Sequence, residues 1–163
     1  MKRRLSFFST ISSILLLSAC NFSVGSEKDL DTGISFNYKG FRVNNVFLVD
    51  SANQKLTANE VPLNARIGFL VYGLSNYSLK NGEAFPGMTV EVLDKQGYPV
   101  VGKSPDLFAE SAGLSVQDAS VLLGSIKISA PMKAGGAYHL KAHVWDKNNP
   151  GNILDAEADI TVK

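Results

Sequence analysis

From Gly33 onward, apolar and polar residues alternate in short runs separated by turn-forming residues. Side chains of a strand point alternately to its two faces, so such runs predict half-buried β-strands. Ile34 to Tyr38 and Phe41 to Asp50 flank a turn at Lys39-Gly40. Within the second run, Val46-Phe47-Leu48-Val49 is continuously apolar, which predicts a strand buried on both faces. Ser51 to Lys55 is turn-like, and Leu56 to Leu63 is a weaker segment expected at a sheet edge, because Pro62 has no N–H for a central ladder. Ala65 to Leu74 sets Ala65, Ile67, Phe69 and Val71 against Arg66, Gly68, Leu70 and Tyr72. Met88 to Asp94 places Met88, Val90 and Val92 on one face and Thr89 and Glu91 on the other. Asp94-Lys95-Gln96-Gly97 then suits a type I turn, with Tyr98 to Val101 returning. Val121 to Ser129 is a further strand with Ile126 and Ile128 inward.

The last two strands carry the clearest pattern. Tyr138, Leu140, Ala142 and Val144 share one face, as do Ala156, Ala158, Ile160 and Val162. His139, Lys141 and His143 point the other way on the first strand, and Asp155, Glu157 and Asp159 on the second. Antiparallel pairing that keeps both apolar sets inward places the basic residues opposite the acidic ones. Asn148-Asn149-Pro150-Gly151-Asn152 is the expected connection. Two segments interrupt the rhythm: Gly73 to Gly87, and Gly102 to Ser120 with a short helix expected near Pro105 to Ser111. At least seven short strands with little helical periodicity predict a single all-β antiparallel sandwich over residues 33–163.

The chain opens differently. Met1-Lys2-Arg3-Arg4 is a basic head, Leu5 to Leu17 is apolar but interrupted by serines, and Leu17-Ser18-Ala19-Cys20 ends it with small residues before the only cysteine. This order suits an export signal and is too short to span a bilayer comfortably. Leu-Ser-Ala-Cys resembles the lipobox of bacterial lipoproteins. The resemblance implies that residues 1–19 are a signal peptide, and that Cys20 is cut free and carries a diacylglyceryl thioether. Asn21, where an aspartate would retain such a protein at the inner membrane, implies the outer membrane, facing the periplasm or the surface. Residues 20–32 are polar, lack periodicity and read as a flexible tether. Asn21 to Thr32, twelve residues, would reach about 40 Å fully extended. In the last third of the chain, Ala134-Gly135-Gly136-Ala137-Tyr138 resembles the tyrosine corner, which implies an immunoglobulin-like version of the sandwich.

Composition changes the picture at three points. Removing residues 1–19 leaves 144, enough for one domain. Three of the 16 Lys+Arg and none of the 15 Asp+Glu leave with them, so 13 basic residues face 15 acidic ones. That balance, with no Lys/Arg run beyond Arg4, gives no electrostatic basis for binding nucleic acid. With Cys20 lipidated no thiol remains for a disulfide or a nucleophile, so an apolar core must hold the domain.

The search for chemistry yields little. His139 and His143, the only histidines, stand about 13 Å apart along one strand, too far to share a metal ion. Asp146 to Gly151 with Glu157 resembles a calcium loop, but Pro150 occupies a ligand position and the flanks read as strands, so no metal site is expected. No Gly-x-Ser-x-Gly elbow appears, and the glycine-rich spots precede strands, so no phosphate cradle or cofactor is expected. Trp145, outward at a strand end, suits stacking on a sugar or a partner, or capping the hairpin edge.

These readings lead to a lipid-anchored, non-catalytic binding or assembly module of the cell envelope. Its membrane contact is through Cys20, and its loops are expected to face an envelope protein partner through Leu79 and Phe85 in one long segment, Leu107 and Phe108 in the other, and Trp145. The same four apolar side chains of the long segments could fold back and plug the end of the sandwich instead. The alternative function is a carbohydrate-binding or hydrolytic envelope protein using the long loops.

Overall fold

The computed structural model describes residues 23–28, 32–101 and 104–163; the lipobox and Cys20 lie outside them. The described chain is nearly all β and folds into two antiparallel sheets packed as a sandwich. Its strands are β1 (Val24–Lys28), β2 (Ser35–Lys39), β3 (Asn45–Val49), β4 (Glu60–Val61), β5 (Arg66–Tyr72), β6 (Pro86–Leu93), β7 (Val121–Lys127), β8 (Ala137–Asp146) and β9 (Asn149–Val162). The larger sheet has the order β1-β2-β9-β8-β6, with β4 parallel to the far end of β9; the smaller is β3-β5-β7. With β5 paired to β7 across from the β6-β8-β9 layer, this is an immunoglobulin-like arrangement, extended at its β9 edge by the β1–β2 hairpin.

The alternation seen in the sequence decides which side chains meet. Val46, Leu48, Ile67, Phe69, Val71 and Leu122 bury against Met88, Val90, Val92, Leu140, Ala142, Val144, Leu154, Ala156 and Ile160. The β8–β9 register pairs Tyr138 with Ile160, Leu140 with Ala158, and Ala142 with Ala156, as their shared face requires. The predicted charge pairing follows from that register: His139 faces Asp159, Lys141 faces Glu157, and His143 faces Asp155. Both imidazoles meet their aspartate through Nδ1, at 2.8 Å for His139 and 2.7 Å for His143. The tyrosine corner also forms: the Lys133 N–H donates to the Tyr138 hydroxyl at 2.9 Å, closing the turn that leads into β8.

Five expectations need correction, in whole or in part. Part of the stretch read as tether is strand β1, paired residue for residue with β2 from Val24–Lys39 to Lys28–Ser35. Its side chains are mostly exposed because it is an edge strand, which is why it shows no apolar periodicity. The Val46–Val49 run is buried on both faces only in part, since Val49 on the outer side is buried but Phe47 is not. Val46 and Leu48 point into the core, while Phe47 is half-buried on the outer face with the Lys55 ammonium 5.5 Å from its ring centre. Leu56 to Leu63 does lie at a sheet edge, but its strand is limited to Glu60–Val61, just before Pro62. No helix forms over residues 105–111; Asp106 accepts from the Phe108 N–H at 2.9 Å and folds these residues as turns, and a single 3-10 turn lies instead at Asp118–Ser120. The β8–β9 connection is shorter than expected. Asp146 pairs with Asn149 across Lys147-Asn148, and a register shift then brings Ile153 opposite Trp145.

Candidate functional site

One end of the sandwich is assembled around the β8–β9 turn. Asp146 is fully buried, and its carboxylate accepts from the Ser78 N–H at 2.6 Å, the Asn148 N–H at 2.9 Å and the Asn152 amide at 3.3 Å. Asn152 also donates to the Asn76 carbonyl at 2.8 Å, and Asn148 to the Ser78 carbonyl at 2.8 Å. The 73–87 segment is thus pinned to the turn by backbone groups on both sides of Tyr77. Tyr77 itself sets its ring edge-on to Phe41 at 5.0 Å and donates its hydroxyl to the Ala119 carbonyl at 3.0 Å. Burial, with a contribution from the Asp146 charge, pushes its phenol well above the ordinary tyrosine range.

The second long segment is held to the same turn. The Lys147 ammonium lies 2.8 Å from Asp106 and donates to the Phe108 carbonyl at 2.6 Å, while the Lys147 N–H donates to the Phe85 carbonyl at 2.8 Å. Asp106 also accepts from the Met88 N–H at 3.0 Å. Burial pushes the Asp106 carboxyl up, but Lys147 and the N–H groups of Phe108 and Met88 outweigh it and hold the group below its ordinary range.

This scaffold separates the five residues expected at a binding site. Leu79 and Leu107 are on this end and remain open, at 51% and 43% exposure. Phe85 is half-buried against the 113 turn, and Phe108 is half-buried and packed on the core, as are Tyr77 and Leu114; Leu74 is fully buried. Tyr77 and Phe108 therefore close the end of the core, with Leu74 and Leu114. Trp145 stands apart from the leucines, on the outer face of the larger sheet. Its ring lies across Gly87, where any Cβ would collide with it, and stacks on His143 with ring centres 5.4 Å apart. Thr89, Pro150 and Ile153 complete its surroundings.

Beside Trp145, a shallow groove of about 410 Å³ runs over Asn37, Thr89, Glu91, Lys141, His143, Asp155 and Glu157. Its floor is the cross-strand ladder of basic and acidic residues. The carboxylate–imidazole half of a catalytic triad is present twice, in Asp159–His139 and Asp155–His143. Among the described residues no hydroxyl or thiol is hydrogen-bonded to either ring. The calcium-loop resemblance dissolves in the same way: Asp146 turns inward onto backbone donors, and Glu157 lies far along β9 opposite Lys141. No group of three or more metal-ligating side chains occurs among the described residues.

The outer face of the smaller sheet is the surface the sequence reading missed. Phe47, Leu70 and Leu123 stand side by side in one row across β3, β5 and β7, and Tyr72 and Val121 continue the patch in the next row. Tyr72, Val121 and Leu123 are exposed; Phe47 and Leu70 are half-buried. The three strands contain no Asp or Glu, and Arg66 and Lys127 pair at the far end of the same face. The signal was available in the alternation, since Leu70, Tyr72, Val121 and Leu123 are apolar residues at outward positions. Only the register shows that they adjoin.

Comparison of the chain with protein-family models and with curated proteins finds no match.

Proposed function

We propose that this chain is a lipid-anchored, non-catalytic binding module of the cell envelope, held through Cys20 in the outer membrane, and that it meets a protein partner through the outer face of its smaller sheet. The observation that carries the reading is the apolar row Phe47–Leu70–Leu123 with Tyr72 and Val121 beside it. A contiguous exposed apolar patch on a small domain marks an interaction surface. Arg66 and Lys127 at its margin, with no carboxylate on the three strands, fit a partner whose apolar centre is bordered by acidic residues.

Photo-cross-linking in cells tests this. A photoreactive residue at position 123 should give a protein adduct that a probe at Lys141, on the opposite outer face, does not. Arg66→Glu with Lys127→Glu should abolish that adduct without lowering the melting temperature by more than a few degrees. Equal adducts from both faces, or an adduct indifferent to the charge reversal, would reject the reading. A fatty-acid label that is absent from the chain, or persists in Cys20→Ser, would reject the anchor.

A second reading rests on Trp145, whose ring is laid over Gly87 beside His143 and Thr89 in a way that suits stacking of a sugar. A shift of Trp145 fluorescence on titration with envelope oligosaccharides would favour it over the protein-partner reading.

A further inference from the structure

Strand β1 changes how close the domain stands to its anchor. The Ser23 carbonyl accepts from the Gly40 N–H at 2.9 Å and its hydroxyl bonds the Phe41 carbonyl, so the fold takes hold of the chain at Ser23. Three residue steps separate Ser23 from Cys20, a reach of about 10 Å at most. That is little more than one headgroup layer, about 5–8 Å. A tether of this length keeps the domain within a few ångströms of the headgroup surface.

The register shows which end is held down. Val24 pairs with Lys39, Lys39 with Ile153, and Ile153 with Trp145, which places Ser23 at the β8–β9 turn. The contacts agree: Gly40 packs against Asn152, the Asn76 amide donates to the Gly40 carbonyl, and Phe41 carries the Tyr77 ring. The anchored end is therefore the end that bears the two long segments. Two exposed large apolar side chains of the long segments lie at this end, Leu79 and Leu107. Val24, 65% exposed and one residue from Ser23, lies in β1 on the outer face of the larger sheet with Trp145. The opposite end, with the Asp94–Tyr98 turn, lies about 30 Å away along the strands.

We propose that this loop end rests on the lipid headgroups of the membrane that holds Cys20, with Leu79 and Leu107 entering the interfacial layer and both sheets standing upright from it. The inference rests on the lipid-anchor reading above. It goes beyond that reading by fixing the orientation: the apolar face of the smaller sheet is turned sideways, open to a partner alongside the molecule at the membrane. Short apolar tips on a rigid end suit an interface where apolar groups leave water while the chain stays hydrated.

The test uses the full, processed chain in phosphatidylcholine vesicles that contain a phospholipid with a headgroup nitroxide quencher. The only native cysteine is Cys20, so Leu79→Cys, Leu107→Cys and Gln96→Cys each supply one thiol for a fluorophore. Quenching at positions 79 and 107 is expected to exceed that at 96 by several-fold. Equal quenching at all three, or none at 79 and 107, would overturn the proposal and leave the loop end for a protein partner. Intact mass of the same preparation separates the two failures. A diacylglyceryl-modified chain without quenching removes the orientation alone, whereas an unmodified Cys20 removes the anchor and the orientation with it.

Discussion

Asp146→Ala is the perturbation that most directly probes the loop end. The side chain is fully buried and its two oxygens hold three donors, from Ser78, Asn148 and Asn152. A hydrogen bond to a charged group contributes about 1.5–3 kcal/mol, and a buried donor left without an acceptor costs about 1–3 kcal/mol. The three donors do not fare equally. Asn148 is exposed and can turn to water, and the Asn152 amide keeps the Asn76 carbonyl at 2.8 Å. The half-buried Ser78 N–H loses its acceptor. Removing a buried charge also relieves some desolvation penalty. The net expectation is a loss of about 2–4 kcal/mol, or on the order of 8–15 °C in Tm for a domain of this size. Asp146→Asn, which keeps the shape and one acceptor oxygen, should fall between wild type and Asp146→Ala. Urea unfolding of a soluble form beginning at Asn21 measures both, and hydrogen exchange should show the loss centred on residues 76–80. A cost below about 1 kcal/mol for Asp146→Ala would mean that the turn does not organise the long segments, and the account of the loop end would fail.

Three further outcomes are expected. The lowered Asp106 group contributes stability that is fully present above its unfolded value, near pH 4, and is lost as pH falls through its lower folded value; Lys147→Met should remove the part of that acid dependence due to the ion pair, read from urea midpoints between pH 2 and 5. Tyr138→Phe should cost about 1 kcal/mol, because the half-buried hydroxyl accepts a single bond from Lys133, and an unchanged unfolding midpoint would show that the corner contributes nothing. Gly87→Ala should push Trp145, the chain's only tryptophan, off the sheet and cost about 1–3 kcal/mol, seen as a change in intrinsic fluorescence of the folded protein together with a lower midpoint.

Alternation of apolar and polar residues determined most of the strands, their buried faces and the opposition of the basic row of β8 to the acidic row of β9. The pairing of His143 with Asp155 was decided by the two-residue turn and the register shift behind it. The faces were legible because a slip of one residue would turn Leu140, Ala142, Ala156 and Ala158 outward, although slips of two would not. The tyrosine corner was legible for a local reason, since Lys133 and Tyr138 are five residues apart and meet across one turn. Tertiary structure decided the rest. Strand β1 has no inward apolar stripe to announce it, and exists because the β2 edge offers it a ladder. Local pattern left open whether Phe85 and Phe108 face a partner or close the sandwich end; Asp146 and Lys147 decide it by drawing the two long segments over that end. The row Phe47–Leu70–Leu123 joins residues up to 76 positions apart, and no local pattern specifies that they touch. A sequence fixes a side chain's periodicity along its own strand; which strands lie next to one another is set by how the whole core closes.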